Sequence, residues 1–240
     1  IVFHEAAQTM VQSSMENPIY DCDVNLIGLI NVLDACRQVK VEQFLMPSSA
    51  AVYGDLAVLP LTEELSGMPS SFYGLTKLTA EGYLRIYREA FGLNTVCFRY
   101  ANVYGPRQGD GGEGGVISIF NRLIVEGQPL TVYGDGEQTR DFIYVDDVVD
   151  ANIKAMGNSQ CSGIYNVSTN KGTSVNELIT RFRAISGVDF MVHYEDERIG
   201  DIKHSRLSNL KAERDFGFTA TTTLEEGLQK TLEYFKANHK

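Results

Sequence analysis

Tyr73-Gly-Leu-Thr-Lys77 places a phenol and an ammonium four residues apart on a segment of helical periodicity, hence on one face of a helix. A lysine beside a tyrosine lowers the phenol's pKa, so a phenolate can act as a base near neutral pH. The pair alone says little. In a chain with 12 tyrosines, chance supplies about half of one such pair, and a solvated helix face is the competing reading. Ser49 adds weight, because it follows the short apolar segment Phe44-Leu45-Met46 and the turn Pro47-Ser48. Open α/β sheets put their ligand crevice at the carboxyl ends of such strands. A hydroxyl and a phenol converging there could share a hydrogen bond to one substrate oxygen; a plain turn at Ser48-Ser49 is the alternative. Gly109-Asp-Gly-Gly-Glu-Gly114 matches the dinucleotide pattern G-x-G-x-x-G only formally. It starts well past the end of its strand, whereas the working loop opens immediately after one, and Asp110 and Glu113 would face a pyrophosphate with like charge. It reads as a flexible loop.

The elements that must position these groups alternate between apolar, β-branched runs and helix-period segments, the pattern of a mostly parallel sheet covered by helices. Residues 1–4 read as a strand with a small turn at 5–7. Asn17-Pro18 can cap a helix to about Lys40, with Leu26, Leu29, Ile30 and Leu33 as its apolar stripe. A strand at 44–46, a helix over 72–91 stopped by Gly92, and a strand at 95–100 follow. Gly105 to Gly115, rich in glycine, reads as a mobile connection between two lobes. Beyond it the sequence predicts helices at 116–126, 145–156, 175–186 and 224–238, with strands near 130–133, 141–144 and 163–167.

Composition bounds the function. Of 240 residues 43% are apolar, enough for a sizeable core, and no run of 18 apolar residues marks a membrane helix. A formal charge of −10 argues against nucleic-acid backbone binding, leaving an anionic ligand only to a few placed arginines. Cys22, Cys36, Cys97 and Cys161 form no CxxC pair and read as reduced and cytoplasmic. His4, His193, His204 and His239 lack metal-ligand spacing, so no metal is expected.

An ordered series of motifs runs through the whole chain: Val2-Phe-His-Glu-Ala-Ala-Gln8, Asp23-Val-Asn25, Ser48-Ser-Ala-Ala-Val-Tyr-Gly54, Tyr73-x-x-x-Lys77, Arg99-Tyr-Ala-Asn-Val-Tyr-Gly-Pro-Arg107, Arg140-Asp-Phe-Ile-Tyr-Val-Asp-Asp147 and Arg198-Ile-Gly-Asp201. In this series the chain resembles the extended short-chain dehydrogenases typified by nucleotide-sugar epimerases, of the UDP-glucose or UDP-N-acetylglucosamine 4-epimerase kind. The resemblance implies an α/β fold: a Rossmann-like doubly wound parallel sheet, truncated at its N-terminus, with a smaller C-terminal α/β substrate-binding lobe. It implies NAD-binding residues 1–104, with returning segments near 139–170, and a substrate lobe of 105–138 and 171–240. About 70 residues of a first βαβ unit, with the glycine-rich loop, are expected ahead of Ile1.

The resemblance also implies roles. Ala6, Ala7 and Gln8 would form the turn that passes the cofactor, held by Asn25, and Tyr100 and Ala101 would flank the nicotinamide of NAD. Tyr73 would be the base, Lys77 its ribose-binding activator and Ser49 the third catalytic group. Asn102, Arg140 and Arg198 would hold the substrate diphosphate, Asp201 the nucleotide ribose and Tyr133 the base. Val116 joins the substrate-binding set, and Ser205 would gate bulk at sugar C2. Two planar guanidiniums on a diphosphate suit an otherwise acidic protein. Glu5 and Ser168 depart from the family pattern, where an apolar or small residue and a glycine are usual. Ala50 and Ala51 stand where dehydratases and decarboxylating relatives carry proton-moving carboxylates, which disfavours elimination. The reaction implied is NAD-dependent C4 epimerisation of a UDP-sugar through a 4-keto intermediate, by a cytoplasmic homodimer joined through the helices near 18–40 and 72–91. Heptose-type epimerases, 4,6-dehydratases and a non-catalytic binding domain remain alternatives.

Overall fold

The computed structural model describes residues 1–109, 115–197 and 202–238. Strand β1 (Val2–Phe3) leads into α1 (Val11–Glu16) and α2 (Pro18–Cys22). Pro18 opens α2 where its missing N–H costs nothing, and the Asn17 side chain accepts from Tyr20 N. The expected single helix over 18–40 is interrupted by a π-helical turn, Asp23–Ile27, before α3 (Gly28–Gln38). Asp21 and Asn25, four residues apart, are both buried at this break and hydrogen-bonded to each other. A buried polar pair inside a helix is a local cost that an apolar stripe does not announce.

Strand β2 (Gln43–Ser49), α4 (Phe72–Phe91) and β3 (Asn94–Tyr100) continue the chain. Then come β4 (Asn102–Tyr104), α5 (Val116–Val125), β5 (Leu130–Tyr133), β6 (Thr139–Arg140) and β7 (Phe142–Tyr144). The remainder is α6 (Val145–Ala155), β8 (Gly163–Val167), β9 (Thr173–Ser174), α7 (Val175–Ser186), β10 (Val192–Glu195), α8 (Leu210–Phe216) and α9 (Leu224–Asn238). The strand expected at 141–144 is β7, starting one residue later, and a further short strand, β6, precedes it. Asp141 is fully buried between β6 and β7, with its carboxylate accepting from Thr169 and from Leu207 N, so the ladder breaks there.

The main sheet is parallel, in the order β1-β2-β3-β8. Because side chains alternate across a strand, its two faces can be read directly. Phe44, Met46 and Cys97 pack with Leu29 and Leu33 of α3 and with Ala80 and Leu84 of α4. Leu45, Val96 and Phe98 pack on the other face with Val148 and Ala151 of α6 and Ala212 of α8. Strands covered on both faces explain why their sequences are nearly continuous apolar runs. A second core joins α5, β5, β7, α7 and α9 around Phe120, Leu130, Phe142, Phe182 and Leu228. Among the described residues no helix is long and apolar enough to cross a membrane.

Helix α4 carries the Tyr-Lys pair, and both its ends are fixed. The Ser71 side chain accepts from Gly74 N, and Gly92 ends the helix in the left-handed region at φ 71°. The first turn presses on the chain that follows β2: a Cβ on Gly74 would lie 2.6 Å from the Ala51 carbonyl oxygen. Gly74→Ala is therefore expected to push the start of α4 off this turn and to cost about 1–3 kcal/mol. A thermal unfolding midpoint equal to that of the parent would show that the contact yields freely.

Candidate active site

A cleft of about 700 Å³ opens at the carboxyl ends of β1, β2 and β3. Ser49 ends β2, and its hydroxyl oxygen accepts from Ala51 N at 3.2 Å. Tyr73, the second residue of α4, directs its phenol to the Ser49 side chain, with which it hydrogen-bonds. The backbone is pinned as well, since Tyr73 N donates to Ser14 Oγ at 3.0 Å. Lys77 follows one helical turn later. Its Nζ donates to Pro47 O at 3.0 Å and lies 5.9 Å from the Tyr73 ring centroid.

The electrostatics amend one expectation. The Tyr73 phenol is raised, not lowered, from its ordinary value: burial outweighs the Ser49 hydrogen bond, and the Asp21 carboxylate adds to the rise. The Lys77 ammonium is itself buried, which lowers its pKa. A positive charge must therefore arrive beside the phenol before it ionises near neutral pH. Glu5, the unexpected acid, lines the cleft. Burial raises its carboxyl, with the Lys77 ammonium opposing. Tyr100 is also raised, by burial first and then by Glu5, although Asn152 Nδ2 donates to its hydroxyl at 2.7 Å.

These groups can be tested against a nicotinamide riboside. Lys77 spends one of its three N–H donors on Pro47 O, which leaves two for ribose hydroxyls inside a pocket that buries all but 5% of the residue. Ala7, Ala101 and Pro47 give the cleft small or flat walls, and Tyr100 adds an aromatic one. Ring and ribose fit. Among the positions expected at the cofactor, Ala7, Tyr73, Lys77, Tyr100 and Ala101 line this cleft. Ala6 is exposed, while Gln8 is buried behind the wall and held by Asn25, which accepts from Gln8 N at 2.9 Å and donates to Gln8 O at 3.0 Å. The Gln8 amide turns inward to Asp21 Oδ1 at 2.7 Å, and Asp21 Oδ2 accepts from Thr76 Oγ1 at 2.7 Å.

The substrate positions are more dispersed. Asn102 lines the cleft, but Val116 packs against the second core, next to the Gly115 that does line it. Tyr133 borders a separate cavity of about 180 Å³ with Gln138, Ile202 and Lys203. Arg140 is half-buried and donates to Thr139 O at 2.9 Å. Ser205 is buried beside it, with its N–H on Thr139 O at 3.1 Å, rather than on the cleft wall. Arg198 and Asp201 lie outside the described residues. Ser168, the other departure from pattern, has a structural use: its hydroxyl donates to Leu207 O at 2.8 Å.

Sequence reasoning missed Gln108. It lines the cleft near Asn102 and donates through Nε2 to Val103 O at 3.1 Å, while its buried Oε1 has no partner among the described residues. An orphaned buried acceptor facing a cleft marks a ligand contact. Its position at the edge of the glycine-rich loop was the signal available in the sequence.

Comparison with known proteins places the chain among nucleotide-sugar epimerases in sequence and fold. The chain is 39% identical over 241 residues to a putative UDP-glucose 4-epimerase of Methanocaldococcus jannaschii, covering 100% of this chain and 78% of that one. The structure matches the UDP-glucose 4-epimerase of Thermotoga maritima, solved with UDP-glucose, at a TM-score of 0.95 and 38% identity, covering 100% of this chain and 78% of the other. It also matches the UDP-N-acetylglucosamine 4-epimerase of Methanobrevibacter ruminantium M1, in complex with UDP-N-acetylmuramic acid, at 0.94 and 36% identity, covering 98% and 76%. Residues 1–168, which contain the parallel sheet and every wall of the cleft, match the NAD dependent epimerase/dehydratase family, and the chain belongs to it.

Proposed function

We propose that the protein interconverts the C4 epimers of a UDP-sugar, glucose and galactose or their N-acetyl forms, through a transient 4-keto sugar. The observation that carries this reading is the meeting of Ser49, Tyr73 and Lys77 in one cleft. The Tyr73 phenolate takes the proton of the C4 hydroxyl and returns it after the keto sugar has turned. Ser49, hydrogen-bonded to that phenol, keeps the two oxygens in line and shares the proton path. Lys77 holds the cofactor ribose with the donors that Pro47 leaves unused. NAD, when bound by Lys77 and the walls of the cleft, would supply the hydride acceptor and donor and a positive charge that favours the phenolate.

Ala50 and Ala51, in the turn after Ser49, carry no group able to move a proton, which favours epimerisation over loss of water or carbon dioxide. Asn102 is assigned to the substrate diphosphate with Arg140 and Arg198, Asp201 to the ribose, and Tyr133 to the base. Residues 1–104 with 139–170 are assigned to NAD and the remainder to the sugar nucleotide; the main parallel sheet lies wholly in the first part, although Leu207 and Ala212 of the second pack on it. A homodimer through the helices near 18–40 and 72–91 is supported by their exposed Ile19, Ile27, Phe72, Leu75 and Ile86. Four free cysteines support a cytoplasmic location.

In the NAD-loaded protein, Tyr73→Phe is expected to lower kcat by about 10²- to 10⁴-fold. Because the phenol is held above its ordinary pKa, the reactive base fraction grows as pH rises, so log kcat should climb with pH and this limb should vanish in the variant. Near-normal turnover by Tyr73→Phe would remove the assignment. Ser205, buried off the cleft wall, is assigned to sorting sugar bulk through its neighbour Arg140, and Ser205→Tyr is expected to cut activity on UDP-N-acetylglucosamine about tenfold more than on UDP-glucose. Equal losses on both substrates would show that position 205 does not sort them.

A further inference from the structure

Glu81 lies two helical turns beyond Tyr73 and one beyond Lys77, on the same stripe of α4. Glu81 and Arg99 are only 4% and 3% exposed. The guanidinium of Arg99 grips the carboxylate with two bonds, Nε to Oε1 at 2.9 Å and Nη2 to Oε2 at 2.7 Å. Oε1 also accepts from Ser48 Oγ at 2.7 Å. Arg99 in turn stacks on the Tyr53 ring, 4.6 Å from its centroid, and the Tyr53 hydroxyl donates to Asn166 Oδ1 at 2.7 Å. Ser49 is therefore bracketed. The residue before it is tied to Glu81, and the turn after it ends at Tyr53, which rests on Glu81's partner.

Farther along α4 the Thr95 hydroxyl of β3 donates to Leu84 O at 3.1 Å, a bond to β3 that leaves β2 untied, and the other packing contacts of α4 on the sheet do not fix its register with β2. Ala80, Leu84, Phe44, Met46 and Cys97 are apolar, and apolar packing is non-directional: it tolerates a small slide or rotation of the helix. The Lys77 bond to Pro47 O is directional, but that ammonium is shared with the ligand. We propose that Glu81 is a positioning residue for the reaction: its buried bonds to Ser48 and Arg99 hold α4 in register with β2 and so set the approach of the Tyr73 phenol to the Ser49 hydroxyl. The inference rests on the reading of Ser49 and Tyr73 as the proton-transfer pair. A displacement of about 1 Å at such a pair costs up to 10²-fold in rate.

Two variants of the NAD-loaded protein test it, Glu81→Gln and Ser48→Ala. The second cuts the tie between helix and strand while leaving the Glu81–Arg99 ion pair whole, so it decides the matter if Glu81→Gln does not fold. The expected result for Ser48→Ala is a fall in kcat of roughly tenfold with KM for the UDP-sugar within about twofold of the parent. The rising limb of log kcat should shift to higher pH, because a phenol that has lost its alignment with Ser49 ionises less readily. On a Tyr73→Phe background the same substitution should change the residual rate by less than about twofold, since the group it misaligns is gone. Ser48→Ala that merely lowers the unfolding midpoint, with parental kcat and pH profile per bound NAD, overturns the proposal. Tyr73→Phe separates the two readings: near-normal turnover there fells the catalytic assignment, whereas a silent Ser48→Ala beside a dead Tyr73→Phe fells only the role of Glu81.

Discussion

Burying the Arg99 guanidinium is the demand around which the rest of this sheet is arranged. A buried cation is tolerated only when it is paired and hydrogen-bonded, and removing its partner costs about 3–5 kcal/mol. Arg99 sits on β3 with its side chain on the α4 face, two residues along from Cys97. The acid that satisfies it must come from α4 at one height only, because a bidentate grip has a fixed geometry. Glu81 meets that demand, and the Arg99 pKa rises above its ordinary range despite its burial because of Glu81. The ion pair contributes little net stability by comparison with an apolar pair of the same shape. What it contributes is a fixed place for Glu81, whose bond to Ser48 ties α4 to β2, the elements that carry Tyr73 and Ser49.

Burial also sets the state of the reacting groups. The same exclusion of water that orders Tyr73 raises its phenol and lowers the Lys77 ammonium. Both shifts disfavour charge, so the cleft by itself keeps its base protonated. This is a useful default for a site that must not abstract protons until its ligands are in place. Charge brought by a ligand is then felt strongly, because the low local dielectric that penalises an isolated ion strengthens its interaction with a neighbour. Ser49 is the one side chain that already lowers the phenol's pKa, and it does so through a bond whose length depends on the alignment of α4 with β2.

Which of this could be read in the sequence follows from the range of each interaction. Tyr73 and Lys77 were legible because a helical period is local, and Ser49 because strand ends in parallel sheets have a general meaning. The alternation of Phe44, Leu45 and Met46 between two cores is likewise a local pattern. The break at Asp23–Ile27 was not legible. It depends on Asp21 and Asn25 finding Gln8 and Thr76, and Thr76 lies 55 residues from Asp21 in the chain. The extra short strand at Thr139–Arg140 was hidden for the same reason, since Asp141, which parts it from β7, is satisfied by Thr169 and Leu207. Spacing gives the lysine and the phenol a shared face but not the distance from ammonium to oxygen. A one-turn spacing put the ammonium near the ring, where Pro47 O captured it.

The acidic balance of the chain has a local counterpart. Among the described residues lining the cleft, the charged groups are one acid and one base, Glu5 and Lys77, so the walls carry no surplus with which to hold a diphosphate. Asn102 and Gln108 offer polarity without charge. A dianionic ligand therefore needs cations delivered from the second core's side, where Arg140 stands on β6 next to Ser205. Concentrating positive charge at that margin, rather than along the cleft, leaves the reacting end of the site nearly neutral. Substrate affinity and chemistry thus draw on different elements, and those elements meet where β4 pairs with β7 through Asn102 and Phe142. The Asn102 N–H donates to the Asp141 carbonyl at 2.8 Å, and Asp141 follows Arg140 directly, so the group at the cleft and the arginine at its margin are held by one backbone junction.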